Sequence, residues 1–124
     1  MNELLSEIQA ISKQLIQVPE QPNAQRDYLV KLSSLKARVN DIKPEADNLY
    51  SKELATVTES ILLNYKDNIK GNSALVKNMI QGKMATHQKL VDYVDRVSST
   101  INLQSDNLRT VISFEKELLK SSAA

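Results

Sequence analysis

The sequence predicts an all-α protein: a short amino-terminal helical hairpin followed by a long, coiled-coil-like carboxyl-terminal helix, completed into a helical bundle by oligomerisation. Three observations carry this. Glycine occurs twice and proline three times in 124 residues, and every proline lies before residue 45. Aromatic residues make up only 4% of the chain, without tryptophan, a composition that suits helices. Apolar residues recur at alternating spacings of three and four, and from Val76 to Val111 they settle into a seven-residue repeat.

The first helix is read from Leu4, Ile8, Ile11, Leu15 and Val18, which share one side of a helix from about Asn2 to Gln17. Pro19 and Pro22 then remove backbone donors and restrict the residues before them, so Val18 to Gln25 is expected to be a loop. Tyr28, Leu32, Leu35, Val39 and Ile42 repeat the stripe. The two segments predict an antiparallel hairpin over residues 2–42, each helix about 25 Å long at 1.5 Å per residue.

Pro44 is best tolerated at a first helical position, and Glu45 and Asp47 supply the acidic residues that a helix amino terminus favours. A third helix is therefore expected to begin there. Its stripe is Ala46, Tyr50, Leu54, Val57, Ile61, Tyr65 and Ile69, as far as "KGNS", where Gly71, Asn72 and Ser73 have the chemistry to end one helix and cap the next. The sequence leaves open whether the helix breaks at Gly71.

Beyond this point Ile80, His87, Val94, Ile101 and Leu108 recur every seven residues, and so do Val76, Lys83, Leu90, Val97, Gln104 and Val111, an a/d seam of more than four heptads. A helix from Ser73 to about Leu119 is roughly 70 Å long, which two 25 Å helices cannot cover. The seam is therefore expected to meet a second copy of the chain, since a bare stripe of that length invites aggregation. The organisation is one structural domain, with a hairpin at 1–43 and an oligomerisation region at 44–120. No repeat of solenoid period is visible.

Charge and composition exclude several classes. Without cysteine there is no disulfide framework and no thiolate site, and no apolar run nears the roughly 18 residues that span a bilayer. Glu3 and Glu7 occupy the amino terminus where a signal peptide is basic, so a cytoplasmic protein without a membrane partner is expected. The net charge of +1 opposes a strong global field for nucleic acid, yet Lys66, Lys70, Lys77, Lys83 and Lys89 face only Asp67 between residues 66 and 89. Such a run is usually a solvated helix face.

Three seam positions are polar: Lys83, His87 and Gln104. A polar residue in a seam commonly fixes register or oligomer state, and one antiparallel pairing of two copies sets Val94 against Val97, Leu90 against Ile101 and His87 against Gln104, with Lys83 snorkelling beside Leu108. The functional alternative is a phosphate-binding patch of Lys83, His87 and Lys77 with the Thr86 hydroxyl at an oligomer interface. Catalysis has little support. His87 is the only histidine, Asp92 and Asp95 are not four residues from it, and no nucleophile elbow, phosphate loop, zinc-protease or dinucleotide motif occurs. Carboxylate pairs such as Asp92/Asp95 and Glu115/Glu117 are ordinarily solvent-facing. A non-enzyme without a cofactor or metal is expected.

For nucleic acid, Lys66, Lys70 and Lys77 share a stripe by helical angle, with Lys83, His87 and Lys89 beyond it. Tyr65 and Tyr93 are the aromatics nearest to hand for base stacking, and any binding would be sequence-tolerant and salt-sensitive.

The final third, "HQKLVDYVDRVSSTINLQSDNLRTVISFEKELL", holds Leu108, Arg109, Thr110, Ile112, Ser113 and Lys116 in an L-R-[ST]-x-[IL]-S-x-x-K pattern. It resembles a loose group of small all-helical bacteriophage accessory proteins that end in a long helix. The resemblance implies one of two roles in the cytoplasm of a bacterial host: a recombination mediator that organises single-stranded DNA, or an anti-defence protein that sequesters a host immune nucleotide or a host protein. A purely structural scaffold subunit needs neither ligand.

Overall fold

The computed structural model describes residues 1–15, 17–69 and 73–123, apart from the side chains of 66–69 and 123. Its elements are α1 (Asn2–Gln14), α2 (Pro22–Ile69) and α3 (Ser73–Ala123), with no strand among the described residues. The expected third helix does not begin at Pro44: α2 runs through it for 48 residues, about 72 Å. Nor does Pro22 belong to a loop. It opens α2, where a missing N–H costs nothing, and the Gln25 N–H reaches the Gln21 carbonyl at 2.8 Å.

α2 and α3 form a long antiparallel hairpin. α1 lies along one half of it, antiparallel to the start of α2, so that Glu7 pairs with Arg38 and Gln14 lies beside Tyr28. Leu4, Ile8, Ile11 and Leu15 of the first segment interlock with Tyr28, Leu32, Val39, Ile42 and Ala46 of α2 and with Leu90, Val94, Val97, Ile101 and Leu108 of α3. A second, smaller cluster holds Val57, Ile61 and Met84, with no residue of α1. The rod is thus three helices thick along α1, about 20 Å of its length, and two helices thick beyond it.

That architecture removes the premise that the a/d seam lacks an internal cover. Leu90, Val94, Val97, Ile101 and Leu108, expected at an interface between copies, are buried within a single chain because α2 is nearly as long as α3. Val76, Ile80 and Gln104 are half-buried, and Val111, at the end of the seam, is exposed.

α1 ends earlier than expected, at Gln14, with Leu15 as its carboxyl cap. The Arg38 Nη2 donates to Glu7 Oε2 at 2.7 Å across the α1–α2 contact, and this hydrogen bond holds the Glu7 carboxyl below the usual carboxylate range. Its contribution is present above the ordinary glutamate pKa and is lost as pH falls through the lowered value. Both partners are too exposed for that contribution to be large.

Gly82 lies inside α3, and a Cβ built on it meets nothing within 4 Å. Gly82→Ala is expected to raise stability by about 0.8–1 kcal/mol, seen as a higher urea midpoint with an unchanged slope, because the methyl restricts the unfolded backbone and clashes with nothing. A lower midpoint would mean that another chain approaches this backbone closely.

Candidate functional site

Among the sequence-predicted residues, the basic run does not converge. Lys77, Lys83 and Lys89 are all exposed on α3, and at 1.5 Å per residue Lys77 and Lys89 stand about 18 Å apart along the axis, roughly 120° apart around it. The side chain of Lys66 and all of Lys70 lie outside the described residues. Lys83 is not in the seam: Met84, only 2% exposed, takes the buried position beside Val57 and Ile61. Here α1 is absent, the contact between α2 and α3 is narrower, and a lysine one residue away stays in water.

His87 is half-buried, with Nδ1 buried and without a hydrogen-bond partner among the described residues. Gln104 is committed elsewhere than in the expected pairing with His87. Its Nε2 donates to the Leu15 carbonyl at 2.8 Å, and its Oε1 accepts from the Tyr28 hydroxyl at 2.8 Å. The amide therefore caps the carboxyl end of α1, where carbonyls lack helical partners, and ties all three helices at one point. Burial pushes the Tyr28 hydroxyl up, which keeps it protonated as the donor to Gln104. Sequence reasoning placed Tyr28 and Gln104 on apolar stripes but had no signal for their meeting across 76 residues.

A groove that the sequence did not reveal opens at the amino end of α1. Met1 and Leu5 of the amino-terminal segment face Leu90 and Tyr93 of α3, around a space of about 350 Å³, with Thr86, Lys89 and Arg96 also lining it. The Arg96 guanidinium carbon lies 5.6 Å from the centre of the Tyr93 ring, within cation–π range. No carboxylate lines this groove, so it combines an apolar floor with the cationic side chains of Lys89 and Arg96 and the hydroxyl-bearing Thr86 and Tyr93. Tyr65, the other aromatic considered for stacking, is 38% exposed near the far end of α2.

Apolar side chains also stand bare at both ends of the rod. Leu62, Leu63 and Tyr65 lie near the end of α2 beside the α2–α3 connection, and Val111, Phe114, Leu118 and Leu119 lie on the last turns of α3. No group of three histidine, cysteine, aspartate or glutamate side chains gathers as a metal site among the described residues, and no helix there is long and apolar enough to cross a membrane. No protein-family model, curated protein or solved structure matches this chain.

Proposed function

We propose that this chain is a non-catalytic helical interaction protein, a stiff rod that assembles with itself and meets its partner through the apolar surface at its ends. The observation that carries this is the placement of the exposed large hydrophobics. Leu63 is 71% exposed at one end, while Phe114 and Leu119 are 64% and 68% exposed at the other. Between them the α2–α3 seam holds buried and half-buried residues, and Val30 and Leu103 are the other strongly exposed aliphatic side chains. Exposed apolar residues scattered singly need no explanation, but clusters at defined ends of a rod are where contacts form.

The test is light-scattering mass across protein concentration for the intact chain and for Leu63→Asp and Leu118→Asp. A mass that rises with concentration and falls back in one of the variants supports the reading. A mass fixed at 13.9 kDa throughout sinks self-assembly.

A second reading, contact with an anionic ligand, draws on the groove at the amino end of α1. Lys89 and Arg96 would hold a phosphate while Tyr93 and Leu90 pack against a base or another apolar group. The phage-like roles, a single-stranded DNA organiser or a trap for an immune nucleotide, both need such a contact. Retention of a short single-stranded oligonucleotide or a nucleotide at low salt, lost on Lys89→Gln with Arg96→Gln, supports it. Retention that survives both substitutions removes the groove from consideration.

A further inference from the structure

We infer that the groove at the amino end of α1 holds an anionic amphiphile, a medium-chain aliphatic carboxylate whose tail lies on Leu5 and Leu90 and whose head sits between Lys89 and Arg96. This rests on the anionic-ligand reading above and chooses between the base and the apolar group that it left open.

The first step is charge. Lys89 and Arg96 are exposed on one stripe of α3, seven residues and so about 10 Å apart along the axis and about 20° apart around it. Two long side chains rooted at that spacing can close on one carboxylate between them. Neither is in an ion pair with a described residue. The neighbouring carboxylates are turned elsewhere. Glu7 holds Arg38 of α2, Asp92 accepts from Gln88 Nε2 at 2.9 Å, and Glu3 lies about 160° round α1 from both Met1 and Leu5. The first turn of α1 also begins here without a side-chain cap, and its positive end adds to the field.

The second step is the lining. The space of about 350 Å³ has Leu90, only 2% exposed, as its floor, and Met1, Leu5 and Tyr93 beside it. Methionine is unbranched and moulds itself to an aliphatic chain. Among the lining side chains there is no amide and no carboxylate, so they offer the edge of a nucleobase only the hydroxyls of Thr86 and Tyr93. The Arg96 guanidinium, 5.6 Å from the centre of the Tyr93 ring, already covers one face of that ring. An alkyl tail needs neither an edge partner nor a free ring face.

The third step is magnitude. Exposed cations alone hold an anion weakly, because water screens them. A buried methylene is worth about fourfold in affinity, so a tail of several methylenes supplies most of the binding and the head fixes its direction. The ligand is accordingly soluble and single-chained, since the groove runs only about 15 Å from Thr86 to Arg96.

The experiment is titration of the ¹⁵N-labelled chain with hexanoate, octanoate and decanoate, read by amide NMR, beside methyl decanoate, adenosine monophosphate and phosphatidylglycerol vesicles. The expected result is saturable binding of decanoate below about 1 mM, with shifts confined to residues near 1–5 and 86–96. Affinity rises about two- to fourfold per methylene, the lower figure for a tail left partly in water. Methyl decanoate, without the charge, binds at least tenfold more weakly, and so does decanoate to the doubly substituted Lys89→Gln, Arg96→Gln chain. Both positions are exposed, so that variant keeps native helicity, and Leu63→Asp leaves the affinity unchanged. Equal binding of the ester, or shifts that spread to Leu63 and Phe114, shows unspecific adsorption and overturns the inference. Adenosine monophosphate that saturates the same amides while decanoate does not leaves the anionic-ligand reading standing and overturns the amphiphile. Vesicles that take up the chain while free decanoate stays unbound overturn a soluble ligand, and a spectrum that no probe moves overturns both readings of the groove.

Discussion

Ile101→Ala is expected to lower the unfolding free energy by about 3–5 kcal/mol, against about 2 kcal/mol for Met84→Ala, although both side chains are large and almost wholly buried. The difference lies in what surrounds them. Ile101, fully buried, belongs to a cluster fed by α1, α2 and α3. Three helices braced against one another cannot close over the space that three lost side-chain carbons leave, so transfer and cavity costs add. Met84 belongs to a cluster of three buried residues between two helices, rimmed by half-buried Tyr50, Leu54, Val76, Met79 and Ile80. There a flexible neighbour or water fills the gap. Urea unfolding of the two variants measures both losses, and equal losses would show that the two halves of the rod are braced alike.

The same contrast has a dynamic consequence. Amide exchange over 28–46 and 90–108 should follow global unfolding, while amides near 54–65 and 75–84 should open by local fraying at lower free energy. The exposed apolar side chains of α2 near the α2–α3 connection would then sit on the less stable part of the rod.

Much of the core was legible. The spacing placed Leu4, Ile8, Ile11, Leu15 and Val18 on one face, and the first four are buried while Val18, beyond the end of α1, is 43% exposed; of the second stripe Tyr28, Leu32, Val39 and Ile42 are buried and Leu35 is half-buried. α3 starts at Ser73, one of the residues with capping chemistry, while Gly71 and Asn72, where the sequence left a break open, lie outside the described residues. What the sequence withheld depends on tertiary partners. Periodicity identifies an apolar face but not its cover, and an early stop for α2 leaves a 70 Å helix apparently bare. Lys83 was misplaced because a strict seven-residue repeat drifts by about 20° per heptad on a straight helix. Buried and half-buried positions follow Val76, Ile80 and Met84, spaced by four, before the count returns to Leu90 and Val94.

The candidate sites were less legible than the core. The lysines cluster in sequence but wind around α3, whereas the groove joins Leu5 to Arg96 across most of the chain. Gln104 reads as a register-setting polar layer between copies and is instead the cap on α1. A buried amide seeks its partners in three dimensions, and a seam position alone does not name them.

Pro44→Ala is expected to stabilise the protein by about 2 kcal/mol. A proline inside a helix lacks the N–H for the carbonyl four residues earlier, here that of Asn40, and crowds it, at a cost of about 3 kcal/mol relative to alanine; its stiffening of the unfolded chain returns up to about 1 kcal/mol. α2 tolerates this because Val39, Ile42 and Ala46, each at most 1% exposed, flank Pro44 on the buried side while Pro44 faces solvent. Burying two such aliphatic side chains contributes roughly 3–6 kcal/mol, enough to outweigh the defect. Chemical denaturation of Pro44→Ala measures the gain directly. Pro44 also lies near the border between the three-helix and two-helix stretches, nearly two turns beyond the Glu7–Arg38 contact and close to where α1 ceases to fill the groove. If the substitution leaves stability unchanged or lowers it, the backbone geometry that Pro44 imposes is what keeps α2 packed on α3 beyond α1, and the proline is then a requirement of the changing thickness of the rod.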